Sequence, residues 1–215
     1  MNSLALYEHA LDHLRATEPN PDQVLAQWRA EVPERCADTD LFREYAWVVT
    51  ACGLTPHVVI KHWPRLTIAY SQWDPLLVAA RVRDSRIAAL EVMKNPRKTD
   101  AVIDFAVSLA DHPGQMQRLA AMPPKEALAQ LVTLPYVGQN NRYHLARNLG
   151  WDVVVRTGPV PRLAAYLGLS PEDLCADIAA GTGERIRTVD LVLWNWGYQV
   201  GDQAMKEMAS LFRLM

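Results

Sequence analysis

The segment Glu126–Gly150, EALAQLVTLPYVGQNNRYHLARNLG, carries the most specific chemical pattern in the chain. One amphipathic helix runs into Leu134-Pro135-Tyr136-Val137-Gly138, and a second helix is predicted from near Gln139 to a stop at Gly150. Gly138 has no side chain, so its backbone can come close to an anion. The first amides of the helix that follows lack intrahelical partners, and the helix dipole favours negative charge there. Such a turn grips and orients a phosphate backbone without reading its sequence. Arg142 and Arg156 are cations near the turn. Two carboxylates could do chemistry. Asp190 sits in an apolar helix between Val189 and Leu191, one turn before Trp194. If buried it needs a partner, and an ion pair with Arg187 or a cap to a neighbouring loop is the structural alternative to a reactive role. Asp152 follows Trp151 directly after the hairpin, where a solvated turn residue is the alternative.

Helices must position these groups. Asn20-Pro21, Thr55-Pro56, Asp74-Pro75 and Ser170-Pro171 each place a capping side chain before a proline at the first helical position. Gly53, Gly150 and Gly168 follow apolar-periodic runs and read as C-terminal stops. Apolar faces recur at three- and four-residue steps, as in Phe42, Tyr45, Ala46, Val49 and Cys52, and again in Ala101, Val102, Phe105, Ala106 and Leu109. Only Asp152–Arg156, with three consecutive valines, is strand-like. It ends in Thr157-Gly158-Pro159 and reads as an extended linker. The expected fold is all-α, a single helical domain over residues 1–215 with approximate lobes 1–89 and 90–215.

Composition narrows the function classes. The chain has 215 residues, half of them hydrophobic, and a net charge of −2. That combination supports a large core and argues against disorder. Its N-terminus is an acidic amphipathic helix without the basic start and apolar block of a signal peptide. No apolar stretch is long enough to cross a membrane, so the expected location is cytoplasmic, with no membrane partner. Cys36, Cys52 and Cys175 fit no disulfide framework or Cys-x-x-Cys site, and the histidines show no metal-binding spacing. Neither a metal nor a cofactor is expected. Charge is unevenly spread. Acids dominate residues 1–50, whereas Lys61, Arg65, Arg81, Arg83, Arg86, Lys94, Arg97 and Lys98 outnumber the acids of residues 61–100. A polyanion could lie along such a basic region, although solvated helix faces give the same pattern.

The hairpin resembles that of the helix-hairpin-helix DNA glycosylase superfamily, HhH-GPD, whose Leu-Pro-Gly-Val-Gly stands here as LPYVG. The resemblance extends to Leu90–Ala106, with its asparagine-basic-lysine entry, to Val155–Gly168, and to Thr188–Gly197, covering roughly residues 90–197. It implies a two-lobed helical glycosylase-like fold that binds double-stranded DNA and acts on a flipped base. Two departures matter. Tyr136 replaces the first glycine of the hairpin, where a positive φ is unfavourable for tyrosine. The family's catalytic aspartate falls, counting back from Arg162, on Thr157 or Gly158. The Schiff-base lysine of bifunctional members falls on Asn140, so lyase chemistry is not expected.

On this resemblance the expected DNA contacts are Tyr136, Gly138, Gln139, Asn140, Asn141, Arg142, Arg156 and Thr157, with Lys94, Arg97 and Lys98 as weaker basic candidates. Tyr143, Trp194 and Trp196 are the candidate walls for an extruded base, which is usually stacked on aromatic rings. Core packing is the alternative reading for each, as for Trp63, Tyr70 and Trp73. Base excision needs a carboxylate to stabilise the cationic sugar, which makes Asp190 the first substitute and Asp152 the second. Three functions stay open. One is N-glycosidic base excision. Another is phage-type thymine hypermodification, joining an amine or amino-acid co-substrate to activated 5-hydroxymethyluracil. The third is non-catalytic binding of modified or damaged DNA. A monomer is expected.

Overall fold

The structure is a computed structural model that describes residues 3–214, with side chains described to residue 212. Among the described residues there are thirteen α-helices and no strand. They are α1 (Ser3–Thr17), α2 (Pro21–Ala30), α3 (Asp38–Ala51), α4 (Pro56–Ala69), α5 (Pro75–Ala80), α6 (Val82–Val92), α7 (Pro96–Asp111), α8 (Gln115–Ala120), α9 (Pro124–Leu131), α10 (Asn141–Asn148), α11 (Pro159–Leu167), α12 (Pro171–Thr182) and α13 (Ile186–Leu214). No helix of the described residues is long and apolar enough to cross a membrane.

The expected Pro starts hold at α2, α4, α5 and α12. Asp74 Oδ1 accepts the Leu76 and Leu77 amides at 2.9 and 3.2 Å, and Ser170 Oγ accepts the Asp173 amide at 3.0 Å. Asn20 and Thr55 precede their prolines without a capping side-chain bond. Residues 151–155 are irregular, as the linker reading expects.

The chain forms two compact units that differ from the 1–89 and 90–215 lobes read from the sequence. One comprises residues 1–31 and 150–215, the other residues 32–149. The reason is packing. α7 lies against α3, α5 and α6, all within 32–149, while α1 lies against α12 and α13 near the far end of the chain.

In the first unit α13 is the hub, packed on α11, α1, α12 and α2. Its Val189, Val192, Leu193 and Trp196 meet Leu6, Ala10 and Leu14 of α1 and Val160, Leu163 and Leu167 of α11 in one core. Each such valine or leucine side chain contributes about 1.5–3 kcal/mol on burial. At Gly201 (φ 81°, ψ 175°) α13 breaks and its second part turns back. This puts Met205 and Ala209 into the same core.

In the second unit α3 is the hub, with Leu41, Phe42, Tyr45, Ala46 and Val49 fully enclosed. It packs on α7, α10, α4 and α8. Asp38 at its start accepts the Gly114 and Met116 amides at 2.6 and 2.7 Å and so caps α8. Phe42 meets an aromatic group. Its ring lies 6.1 Å from Trp73, which stacks on Trp63 at 4.5 Å. Trp63, Tyr70 and Trp73 are thus packing residues.

Gly197 sets the α11–α13 crossing. A Cβ there would stand 2.6 Å from both Pro159 Cβ and Met205 Sδ. Gly197→Ala is expected to lower stability by about 1–3 kcal/mol, the usual cost of overpacking. Urea unfolding checks this, and an unchanged midpoint would contradict the close-approach account.

Candidate nucleic-acid interface

The hairpin lies between α9 and α10. Its tip residues Gly138, Gln139 and Asn140 are exposed, while Val137 is buried and anchors the turn. A Cβ at Gly138 would meet nothing within 4 Å, so the loop faces open space. Helical bonding begins only with the Arg142 amide, which donates to Gly138 O at 3.1 Å, and the Tyr143 amide, which donates to Asn140 O at 3.1 Å. The amides from Gly138 to Asn141 therefore precede the first helical bond, the arrangement an anion needs.

Tyr136 keeps the left-handed conformation, with φ 64°. That costs a non-glycine residue about 1–2 kcal/mol, and its ring is left 38% exposed. The carbonyls around it turn inward. Tyr45 Oη donates to Pro135 O at 3.2 Å, and burial pushes the Tyr45 pKa up, which keeps this donor protonated. Asn141 Nδ2 donates to Tyr136 O at 3.3 Å and to Cys52 Sγ at 3.1 Å; Cys52 Sγ donates to Tyr136 O at 3.7 Å. Lys98 Nζ donates to Thr50 O at 2.9 Å and to Cys52 O. Burial pushes its pKa down. Lys98, read above as a weak phosphate contact, has its ammonium engaged at the end of α3.

Arg142 turns toward its neighbour. Its guanidinium lies 5.1 Å from the Tyr143 ring centre, and Nη2 donates to Tyr143 Oη at 3.4 Å. Tyr143 itself is buried in α10, so it belongs to packing more than to a pocket wall.

A second polar surface sits in the other unit. Arg156 is exposed and pairs with Glu172 at 3.1 Å, and Thr157 is half-buried. Gly158 (φ 88°, ψ −148°) precedes α11, and a Cβ there would come within 3.1 Å of Trp194 Nε1. Trp194 stacks on Tyr198, with ring centres 5.3 Å apart and planes within 5°. Tyr198, a helical turn beyond Trp194 and exposed, was missed by the sequence reading; its i,i+4 spacing from Trp194 was the available signal. Trp196 is 1% exposed and packs edge-on against His9 at 5.8 Å, so it is a core residue.

The two carboxylates build backbone. Asp190 is 0% exposed and accepts the Val155 amide at 3.1 Å. A side chain so enclosed does not reach a substrate in this conformation. Asp152 accepts the Arg187 amide at 2.7 Å, in the first turn of α13, and its side chain remains 45% exposed. It is the carboxylate with access to solvent of the two. Among the described residues no cluster of three or more His, Cys, Asp or Glu could hold a metal ion.

A further feature had no sequence signal. Ser71, Gln72 and Trp73 all have positive φ, at 52°, 58° and 67°. Consecutive left-handed non-glycine residues are strained. Trp73 is held by the aromatic group below, and Gln72 is exposed at the tip.

His144, half-buried on α10, has its pKa pushed down to about 3 by burial and secondarily by Arg147. The native state then binds fewer protons than the unfolded state between about pH 3 and the ordinary value near 6.5. Stability attributable to this group is full above about pH 6.5 and falls as pH drops through that window. His144→Gln is expected to remove about 1–3 kcal/mol of the stability lost between pH 6.5 and 4. Urea titrations at the two pH values check it, and identical acid sensitivity in both proteins would contradict it.

No protein-family model matches the chain, and no curated protein matches it in sequence. The structure is similar to the crystal structure of the 8-oxoguanine DNA glycosylase of Thermotoga maritima, with a TM-score of 0.57 and 20% identity, over 91% of this chain and 98% of that one. The chain therefore has the fold of a helix-hairpin-helix DNA glycosylase.

Proposed function

We propose that the protein binds double-stranded DNA through the open amides of the α9–α10 hairpin and acts on a base turned out of the duplex. The observation that carries this reading is the exposed turn at Gly138, with unpartnered helix-start geometry and nothing in front of it. Exposed Gln139, Asn140 and Tyr136 flank the strand it would grip, and Arg156 and Thr157 line the start of α11. The stacked Trp194–Tyr198 pair beside Gly158 is the base platform favoured here, because it is aromatic and partly open to solvent. The strained turn at Gln72 is a further DNA contact in this reading, since strain held at an exposed polar tip is a recurrent mark of functional loops.

The reaction favoured is N-glycosidic excision, in line with the activity of the Thermotoga glycosylase. Asp152 is its carboxylate, because it has access to solvent. Asp190 positions Val155 ahead of the Arg156–Gly158 turn. One observation favours a second reading. By the resemblance the superfamily's aspartate falls on Thr157 or Gly158, neither of them a carboxylate, and Asp190 is enclosed. Transfer of an amine or amino acid onto activated 5-hydroxymethyluracil in DNA, as in phage thymine hypermodification, needs no carboxylate at the sugar. The protein acts as a monomer in the cytoplasm in either reading.

Gly138→Leu is expected to leave the thermal midpoint unchanged, because the site is empty, and to weaken duplex binding by about tenfold or more through lost amide–phosphate bonds. Fluorescence anisotropy at fixed salt reads this; native affinity in the variant would remove the hairpin from the DNA interface. For the reaction, incubation with duplexes carrying a lesion panel that includes 8-oxoguanine is expected to release free base, and Asp152→Asn is expected to abolish release. Absence of release from every duplex, with new nucleosides appearing on pyrophosphorylated 5-hydroxymethyluracil DNA given amines, would select the transfer reading.

A further inference from the structure

A tyrosine at a left-handed hairpin position needs a reason to stay there. Glycine adopts φ near +64° freely, whereas tyrosine does so at a cost. The surroundings supply the compensation. Asn141 Nδ2 reaches back 3.3 Å to Tyr136 O, and the Cys52 thiol approaches the same oxygen at 3.7 Å. Asn141 Nδ2 also donates to Cys52 Sγ at 3.1 Å, so the two donors and the one carbonyl form a closed triangle. Cys52 is in turn fixed by Lys98, whose ammonium binds the Thr50 and Cys52 carbonyls at the C-terminal end of α3. The path from α7 through Lys98 and Cys52 to the hairpin is continuous.

We propose that Asn141 and Cys52 are positioning residues whose task is to hold Tyr136 in the left-handed conformation, with Lys98 as their anchor, and that Asn141 makes no contact with DNA through its side chain. This inference rests on the reading of the hairpin as the DNA-gripping element. It changes the role of Asn141, which by sequence position alone is a DNA contact. A side chain committed to Tyr136 O shapes the turn, so the amides of residues 138–141 are preset for phosphate before any ligand arrives. Pre-organisation of this kind lowers the cost of binding.

The test is a double-mutant cycle with Tyr136→Gly, since glycine removes the need for support. With native Tyr136, Asn141→Ala is expected to weaken binding of a short labelled duplex by roughly three- to tenfold, the worth of a hydrogen bond. In the Tyr136→Gly background the same substitution is expected to change affinity by less than about twofold. Cys52→Val should behave like Asn141→Ala, and Cys52→Ser, which restores a donor, should recover native affinity. Equal losses from Asn141→Ala in both backgrounds would mean a direct DNA contact and overturn the proposal, as would no loss in either. Urea unfolding of the same variants gives a readout independent of DNA. Asn141→Ala should lower the midpoint with tyrosine at 136 and leave it unchanged with glycine. If the native protein binds no duplex, the DNA reading fails, and the unfolding cycle alone decides whether these residues support the turn.

Discussion

The arrangement of the chain between Leu134 and Asn141 rests on one constraint. Its carbonyls at Pro135 and Tyr136 are held by side chains while Gly138, Gln139 and Asn140 stay exposed. Tyr45, Cys52 and Asn141 take the Pro135 and Tyr136 oxygens, and the turn leaves Gly138, Gln139 and Asn140 exposed, with open space at Gly138. Two of those three donors come from α3 or the residue after it. Phe42, a turn earlier on the same helix, supports the aromatic group under the Ser71–Trp73 turn. The most enclosed helix of its unit is thus the frame for both strained turns. Strain at an exposed position persists only where the structure beneath over-determines it.

The other unit shows carboxylates used as structural ligands. Asp190 and Asp152 each accept a backbone amide, at Val155 and Arg187, and so shape the irregular stretch between the hairpin and α11 and the start of α13. The consequence for chemistry is direct. A wholly enclosed aspartate is poorly placed to meet a sugar cation, while a half-exposed one at a helix start retains access. Gly158 contributes by absence, since the indole of Trp194 occupies the space its side chain would need.

Much of this architecture was legible in the residues. Proline-led helix starts, glycine stops and three-to-four spacing locate most of the helices, and the hairpin appears at the expected place, although its first helix ends at Leu131, short of Leu134, and its second starts two residues later than Gln139. Orientation around a helix was not legible. Trp194 and Trp196 lie two positions apart, hence on opposite sides of α13, and nothing local tells which side faces the core. The grouping of residues 1–31 with 150–215 depends on α1 meeting α13 across most of the chain, a contact that no local pattern encodes. Lys98 reads as a surface cation until the carbonyls at the end of α3 are placed beside it. The left-handed run at Ser71–Trp73 contains no glycine, so the usual marker of positive φ is missing.

The central claim is that main-chain nitrogens of the hairpin meet a DNA strand. The most direct measurement is an amide-resolved NMR titration of the protein with a short duplex at two salt concentrations. The account predicts that the Gly138, Gln139, Asn140 and Asn141 amides show the largest shifts, and that these weaken as salt rises. Duplex binding that leaves those four resonances unmoved would contradict it.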